Sequence, residues 1–551
     1  MSAQIVPLVT PLVTVEDLHV RFAGGASVVK GVSFTIARGE TLALIGESGS
    51  GKSVTSRTLV GLTGQGAQVR AGALRFGDQD LLGADERLWR QIRGGRIGFV
   101  MQDALGSLDP LRTVGDEVGE GLRLHTKLTT AERRARVIEL LTSTGVPEPE
   151  LRARQLPHQL SGGLRQRALI ASAIACNPDL LIADEPTTAL DAAVQAQVLG
   201  LLETLRTPDN AMLIVSHDFA VVSRLADRVA VMRHGEIVEQ GFAAQVLEDP
   251  QHPYTKDLLS AARSLHGASP RPRRAPSGTT AIGQRGLTSH IIEARGIAKA
   301  FKGPDARKRT AVAGVSLDVR FGETLGLVGE SGSGKTTVTR LILGLEAPDA
   351  GEIFLRGRPW ASLSEAERRD QRRRIQVVFQ DPLASFDPRY TVERVIGEAL
   401  DVAGFKPGPR RRARAIELLD LVRLDESVLG RRPMELSGGQ RQRVAIARAL
   451  APQPEVLICD EPVSALDVSV QVQILDLLEE LKSQLGLACI FISHDLGVVR
   501  RVSDRIAVMR FGEIVEQGAT GEVFATPQHP YTRELLAAIS QLKAPAELAH
   551  A

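Results

Sequence analysis

The sequence predicts an α/β protein of two tandem domains, each with a β-rich start, a mostly parallel core sheet and an inserted helical subdomain. Three observations predict it. The chain repeats itself nearly end to end: Lys52 recurs as Lys335, Gln102 as Gln380, Ser161 as Ser437, Glu185 as Glu461, and His217 as His494. Even His252-Pro253-Tyr254-Thr255 returns as His529-Pro530-Tyr531-Thr532. A period of about 280 residues is domain-sized, far longer than a solenoid repeat. Within each copy, apolar strand-like runs alternate with helical ones, the pattern of a parallel sheet covered on both faces. Finally, 551 residues exceed what one hydrophobic core usually serves.

Taken in order, residues 1–262 form the first domain, 263–289 a linker and 290–545 the second domain. Residues 1–15 are apolar, but Pro7 and Pro11 break them and no basic start precedes them. They read as an irregular lead-in, not a signal peptide. The β-rich starts fall at 13–36 and 291–319, and the helical blocks at 114–156 and 392–435. Arg410-Arg411-Arg412 begins a helix and reads as a solvated face. The linker holds Pro270, Pro272 and Pro276 among Gly, Ser and Arg, with no apolar periodicity, so it is expected to be extended and mobile. Its cluster of Arg271, Arg273 and Arg274 has fewer charges than an anionic-surface patch usually needs.

Hydrophobic content of 43% and charged content of 24% are ordinary for a soluble globular protein, and a net charge of +2 leaves no nucleic-acid footprint. No apolar run reaches the roughly 18 residues of a membrane span. Cys176, Cys459 and Cys489 each sit in apolar surroundings and read as buried small hydrophobes in a cytosolic chain, with no disulfide or metal framework.

The first chemical motif is Gly46-Glu47-Ser48-Gly49-Ser50-Gly51-Lys52-Ser53, repeated as Gly329-Glu330-Ser331-Gly332-Ser333-Gly334-Lys335-Thr336. An apolar strand precedes each (41–45; 324–328) and a helical run follows (53–62; 336–345), the context a P-loop requires. Glycines let successive N–H groups turn inward on an anion, and the following helix adds its positive end. Lys52 and Lys335 reach the outer phosphates; Ser53 and Thr336 offer hydroxyls to Mg²⁺. Average usage gives roughly 0.02 chance matches in a chain this long, so two in matching contexts mean nucleoside-triphosphate binding.

The second motif is an apolar strand ending in two acids, Asp184-Glu185 and Asp460-Glu461. Carboxylates at a strand's C-terminal end sit at the ligand crevice of an open α/β sheet. The first acid suits Mg²⁺ coordination through water, and the second suits orienting and deprotonating the attacking water. The third is Ser161-Gly162-Gly163 and Ser437-Gly438-Gly439 before a helical run, an N-cap with exposed amides and so a second anion site. Two such sites and two P-loops suggest a head-to-tail sandwich in which each nucleotide lies between one copy's P-loop and the other's Ser-Gly-Gly helix.

On these residues the chain resembles the ATP-binding cassette (ABC) ATPases, over about residues 13–262 and 290–540. The resemblance implies that Ser161 and Ser437 belong to the signature motif. Gln102 and Gln380 match the magnesium-sensing Q-loop, and His217 and His494 the switch histidine that contacts the γ-phosphate. Ala189-Leu190-Asp191 and Ala465-Leu466-Asp467 match the D-loop. Phe22 and Phe301 fall where an aromatic stacks on adenine in the family; core packing is equally open for both. Both sites keep their Lys, Gln, Ser, Glu and His, so both are expected to hydrolyse ATP. Leu164 stands opposite Gln440 and Ser172 opposite Arg448, differences that leave equality of the sites open.

A finer resemblance is to the ATPase subunits of bacterial oligopeptide, dipeptide and nickel importers. It rests on Ser107-Leu108-Asp109-Pro110, Ser385-Phe386-Asp387-Pro388, the stretch 464–471 and the two His-Pro-Tyr-Thr motifs. It implies a fusion of two ATPases at the cytoplasmic face of the membrane, held peripherally by two permease subunits and served by an extracytoplasmic solute-binding protein. Some relatives hold iron–sulfur in cysteines after His-Pro-Tyr-Thr; this chain has none there, so no cluster is expected. Import of nickel, glutathione or another solute is the alternative. Tandem ABC ATPases acting on ribosomes or DNA are a rival class, disfavoured by the short Pro-rich linker and the absence of zinc-binding cysteine pairs.

Overall fold

The computed structural model describes residues 11–543 apart from 24, 26, 103, 189, 268–289, 303–307 and 465. The lead-in before residue 11, the arginine cluster at 271–274, Ala189, Ala465 and residues 544–545 therefore lie outside the described residues. The chain divides into two compact units, the first drawn mainly from residues up to Ser260 and the second from Ala261–Ser540.

In the first unit a six-stranded sheet runs, edge to edge, Glu236–Phe242, Arg228–Arg233, Thr41–Ile45, Ala211–Ser216, Leu180–Asp184 and Ile97–Val100. Every pairing is parallel except that of the two strands joined at His234-Gly235. The strands Thr41–Ile45, Leu180–Asp184 and Ala211–Ser216 are buried at every residue, as strands covered on both faces must be. The second unit repeats this sheet with Ile375–Val378, Val456–Asp460, Ala488–Ile492, Thr324–Val328, Arg505–Arg510 and Glu513–Ala519.

The β-rich starts form separate antiparallel sheets. Val13–Arg21 pairs with Ser27–Ile36 and with Ala73–Phe76, and His290–Lys302 pairs with Lys308–Arg320 and Ala350–Leu355. Alternation drives the burial: Val13, Val15, Leu18 and Val20 turn inward, with the step between Val15 and Leu18 absorbed by a bulge at Asp17. The later strands Gln68–Arg70, Ala73–Phe76 and Gln79–Asp80 complete this sheet beyond the predicted start.

The inserted block is helical as expected: Val114–His125, Thr130–Ser143 and Pro149–Arg152 in the first unit, Val392–Val402 and Pro409–Leu421 in the second. Val114, Val118, Leu122, Leu140 and Leu141 recur at helical spacing and close a core with Ala168 and Ala171 of the helix Gly162–Ile174. One expectation needs correction. Residues 263–267 continue the helix Pro253–Gly267 instead of opening the linker, and Leu265 there is buried. The run Arg410-Arg411-Arg412 keeps its solvated face, with Arg410 and Arg412 exposed, and Arg411 and Arg412 pair with Asp401 and Glu393 of the preceding helix. Cys459 and Cys489 are buried, whereas Cys176 is only half-buried.

Candidate functional site

In each unit three strand ends converge on one edge of the six-stranded sheet. In the first unit, Ile45 lies opposite Ser216 and Asp184 opposite Val215, so Gly46, His217 and Glu185 emerge side by side. This carboxyl edge is where open α/β sheets bind ligands.

Gly46 has φ 148 and Gly329 φ 152. A Cβ at either would lie 2.1 Å from the Met232 carbonyl oxygen or 2.3 Å from that of Met509, so no other residue fits. The loops that follow wrap their own lysines. Lys52 Nζ donates to the carbonyls of Gly46 (2.7 Å) and Glu47 (2.9 Å), and Lys335 Nζ to those of Gly329 (2.7 Å) and Glu330 (2.8 Å). Both lysines are buried, and burial pushes the Lys335 ammonium below its usual range, with Glu461 opposing. The helices begin at these lysines, Lys52–Thr58 and Lys335–Ile342, shorter than the runs 53–62 and 336–345 suggest.

Ser53 Oγ donates to Asp184 Oδ1 at 2.9 Å. Asp184 is wholly buried, its Oδ2 lacks a hydrogen-bond partner, and the Arg57 Nε stands 3.9 Å away. Burial raises this carboxyl, with the Ser53 hydroxyl and Arg57 opposing. The equivalent Asp460 is pushed up to about 6 by burial and by the charge of Glu461 beside it. Among the described residues no hydrogen bond joins Thr336 to Asp460, so the two sites differ here. A buried carboxylate with an uncompensated oxygen beside a hydroxyl is a donor set that fits a hard divalent cation.

Glu185 and Glu461 carry the sharpest geometry. Their φ values are 51 and 49, left-handed for a residue with a side chain. The backbone is pinned there by N–H bonds to Val215 (2.8 Å) and Ile492 (3.0 Å) on the neighbouring strand. Each carboxylate is gripped from two sides. Gln102 Nε2 donates to Glu185 at 2.7 Å and His217 Nδ1 lies 3.3 Å from it; Gln380 and His494 stand 3.0 and 3.3 Å from Glu461. Thr188 adds a third bond to Glu185 at 3.0 Å. Burial raises both carboxyls, but the histidine contacts prevail and leave them below their ordinary range. Burial likewise opposes the charge on His494, yet the bond to Glu461 prevails and its pKa rises. Each unit thus assembles a carboxylate, an amide and an imidazole beside the P-loop lysine.

Ser161 and Ser437 cap the helices Gly162–Ile174 and Gly438–Leu450, accepting from the Leu164 and Gln440 amides at 3.4 and 3.2 Å. Gln440 also accepts from the Ser437 amide, a capping box that Leu164 cannot make. Gly163 and Gly439 are obligatory because a Cβ would meet Val194 Cγ1 at 2.5 Å or Val470 Cγ1 at 2.7 Å. Among the described residues, no hydrogen bond or ion pair ties either serine to its own unit's lysine cluster. Phe22 packs half-buried against the core that includes Val20 and Val29, whereas Phe301 is 39% exposed. Arg448 donates to the Ser385 carbonyl at 2.8 Å and stacks over Phe386, while the Ser172 hydroxyl donates to the Glu117 carbonyl at 3.3 Å. The two units therefore brace the segment after the Q-loop differently.

Sequence reasoning missed several contacts. Thr188 on Glu185 and Arg57 near Asp184 have no motif of their own. The tyrosines of His-Pro-Tyr-Thr reach the P-loops, a contact that the motif itself does not announce.

Phosphate loop, buried acid, gripped glutamate and imidazole on one sheet edge define a P-loop nucleotide-hydrolase site, present twice. The comparisons narrow the class. A family model described as "ABC transporter" matches residues 29–188 and 312–464, and one described as "Oligopeptide/dipeptide transporter, C-terminal region" matches 238–285 and 515–551. The chain belongs to the ABC transporter family and is an ATPase with two cassettes fused in one polypeptide. It is 42% identical to "Oligopeptide transport ATP-binding protein OppD" of Mycobacterium tuberculosis, over 97% of this chain and 99% of that one. It is 44% identical to "Peptidoglycan transport ATP-binding protein YejF" of Agrobacterium fabrum, over 97% of each. It is also 44% identical to "Glutathione import ATP-binding protein GsiA" of Salmonella choleraesuis, over 93% of this chain and 86% of that one. A solved dimeric bacterial ABC transporter cassette, 31% identical, covers 42% of this chain and 99% of its own, with a TM-score of 0.39. Among the described residues no helix is long and apolar enough to cross a membrane.

Proposed function

We propose that this chain is the ATP-hydrolysing subunit of a membrane importer for peptides, working with two permease subunits and an external solute-binding protein. The observation that carries the chemistry is the glutamate held at positive φ between glutamine and histidine, in both units. The matched C-terminal region and the names of the three relatives support peptide-bonded solutes. Peripheral attachment to the cytoplasmic membrane face through the permeases follows from that reading.

Glu185 and Glu461 serve as general bases: each accepts the proton of a water that attacks the γ-phosphate. A carboxylate below its usual pKa is ready for this at neutral pH but is a weak base, so positioning carries much of the effect. Gln102 and Gln380 fix one carboxylate oxygen and His217 and His494 the other, leaving little freedom to rotate. Lys52 and Lys335 transfer their ammonium groups from loop carbonyls to phosphate oxygens. Mg²⁺, when bound, neutralises phosphate charge; Ser53, Thr336, Asp184 and Asp460 would hold it, with Gln102 and Gln380 as the sensing amides. Ser161-Gly162-Gly163 and Ser437-Gly438-Gly439 supply the second set of phosphate-facing amides, and Phe22 and Phe301 the adenine contacts.

Reconstitution tests the whole reading. The chain is combined with its permeases and binding protein in liposomes, and uptake of labelled di- and oligopeptides is followed with ATP inside. Peptide uptake lost in a Glu185→Gln, Glu461→Gln double variant is the expected result. Uptake that survives that variant, or co-purification with ribosomes instead of permeases, would sink it.

A further inference from the structure

We infer that Tyr254 and Tyr531 are positioning residues for the two phosphate loops, each holding the first turn of its loop through its hydroxyl. The Glu47 amide donates to Tyr254 Oη at 3.2 Å, and the Glu330 amide to Tyr531 Oη at 3.2 Å. These amides belong to the residues directly after Gly46 and Gly329, whose carbonyls hold the lysines. The contact crosses more than two hundred residues of chain in each unit and appears twice at equivalent positions. The inference rests on the P-loops binding ATP.

The tyrosines are not casual neighbours of the loop. Their rings are buried, 6% exposed for Tyr254 and 1% for Tyr531. An arginine covers each ring, Arg233 at 4.6 Å and Arg510 at 4.5 Å from the centroid. Those arginines end the strands Arg228–Arg233 and Arg505–Arg510, which pair in parallel with the strands feeding the loops. The turn ahead of each tyrosine is tethered as well. The Glu239 carboxylate accepts from the Gln251 and His252 amides, and the Glu516 carboxylate from those of Gln528 and His529. His252 and His529 then accept from the tyrosines' own amides at 3.2 Å. Burial pushes the Tyr531 phenol up to about 12, so it stays a neutral partner for the amide across the working pH range.

A packing role alone accounts for the ring, but not for the oxygen. A phenylalanine would fill the same space and remove the hydroxyl to which the loop amide donates. Fixing a backbone group in the shape the ligand needs raises affinity by lowering the ordering cost on binding. The effect should therefore fall on ATP capture, and less on the chemical step once the loop is filled.

The test uses the full chain with Tyr254→Phe, Tyr531→Phe and the double variant. Steady-state ATPase kinetics give KM and kcat, and thermal unfolding without nucleotide gives Tm. Loss of one hydrogen bond predicts KM for ATP raised about fivefold in the double variant, with kcat at saturation within about twofold. Tm should move by no more than a few degrees. Tyr254→Leu and Tyr531→Leu, which remove the ring too, should lower Tm far more. Wild-type KM in the double phenylalanine variant would overturn the inference, as would a KM rise seen only in the leucine variants. A wild-type chain that fails to bind ATP would instead overturn the reading of the loops.

Discussion

Replacing Glu461 by glutamine isolates the charge of the proposed base while keeping its shape. Glu461 holds Gln380 at 3.0 Å and His494 at 3.3 Å, from a backbone at φ 49. Glutamine reaches the same places with one acceptor oxygen, so the loss in folding stability is about 1 kcal/mol, a charged hydrogen bond made neutral. The chemical step loses general-base catalysis, roughly 10²- to 10⁴-fold, or about 3–5 kcal/mol in the barrier. Those two magnitudes are well separated, so the variant should fold, bind ATP and stall. Phosphate release in steady state then reads the coupling between sites. Independent sites leave each single variant, Glu185→Gln or Glu461→Gln, with about half the wild-type rate, and obligately linked sites leave about 1% or less. The double variant falls to that level in both cases, with ATP retained on rapid filtration. Wild-type turnover in both single variants would refute the assignment of these glutamates as bases.

Lys52→Ala should lower ATP affinity at least about tenfold at one site, and isothermal titration should show the stoichiometry fall from two to one. The Glu461–His494 pair predicts a pH dependence. His494, ordinarily near 6.5, is raised when folded, so its stabilisation is full below about that value and is lost as pH rises through the raised one. Glu461 is depressed from 4.5, so its share is present above that value and lost only in acid. The unfolding midpoint of the second unit should therefore fall from pH 6 to 9 in the wild type and less steeply in Glu461→Gln; equal slopes would contradict the pair. Gly439→Ala places a methyl 2.7 Å from Val470 Cγ1 and should destabilise by about 1–3 kcal/mol, read as a lower Tm. Val470→Ala in the same chain should recover part of the loss.

Much of the site was legible because its chemistry is written in contiguous residues. The strands Thr41–Ile45 and Thr324–Val328 fall where their apolar runs place them, since a strand buried on both faces must be apolar throughout. Asp184 ends such a strand, and Glu185 and His217 directly follow one, which is why the sequence points to them. The short strands at 68–80 were not, having two to four residues each and no lasting alternation. The helix continuing through 263–267 was hidden because one buried residue, Leu265, makes no period. Phe22 and Phe301 look equivalent in sequence yet differ in burial, and only the fold distinguishes them. Nothing local announces that Tyr254 meets Glu47, because sheet topology alone brings them together.

The left-handed backbone at Glu185 and Glu461 has an evolutionary corollary. Glycine or asparagine would relieve that strain but give up the carboxylate bonds to glutamine and histidine, so the contacts of the side chain are what hold the backbone there. Laboratory selections that reward only yield or heat resistance do not read turnover, so they give no reason to keep either glutamate over a neutral substitute. Any stabilisation campaign on this chain therefore has to screen for turnover alongside melting temperature.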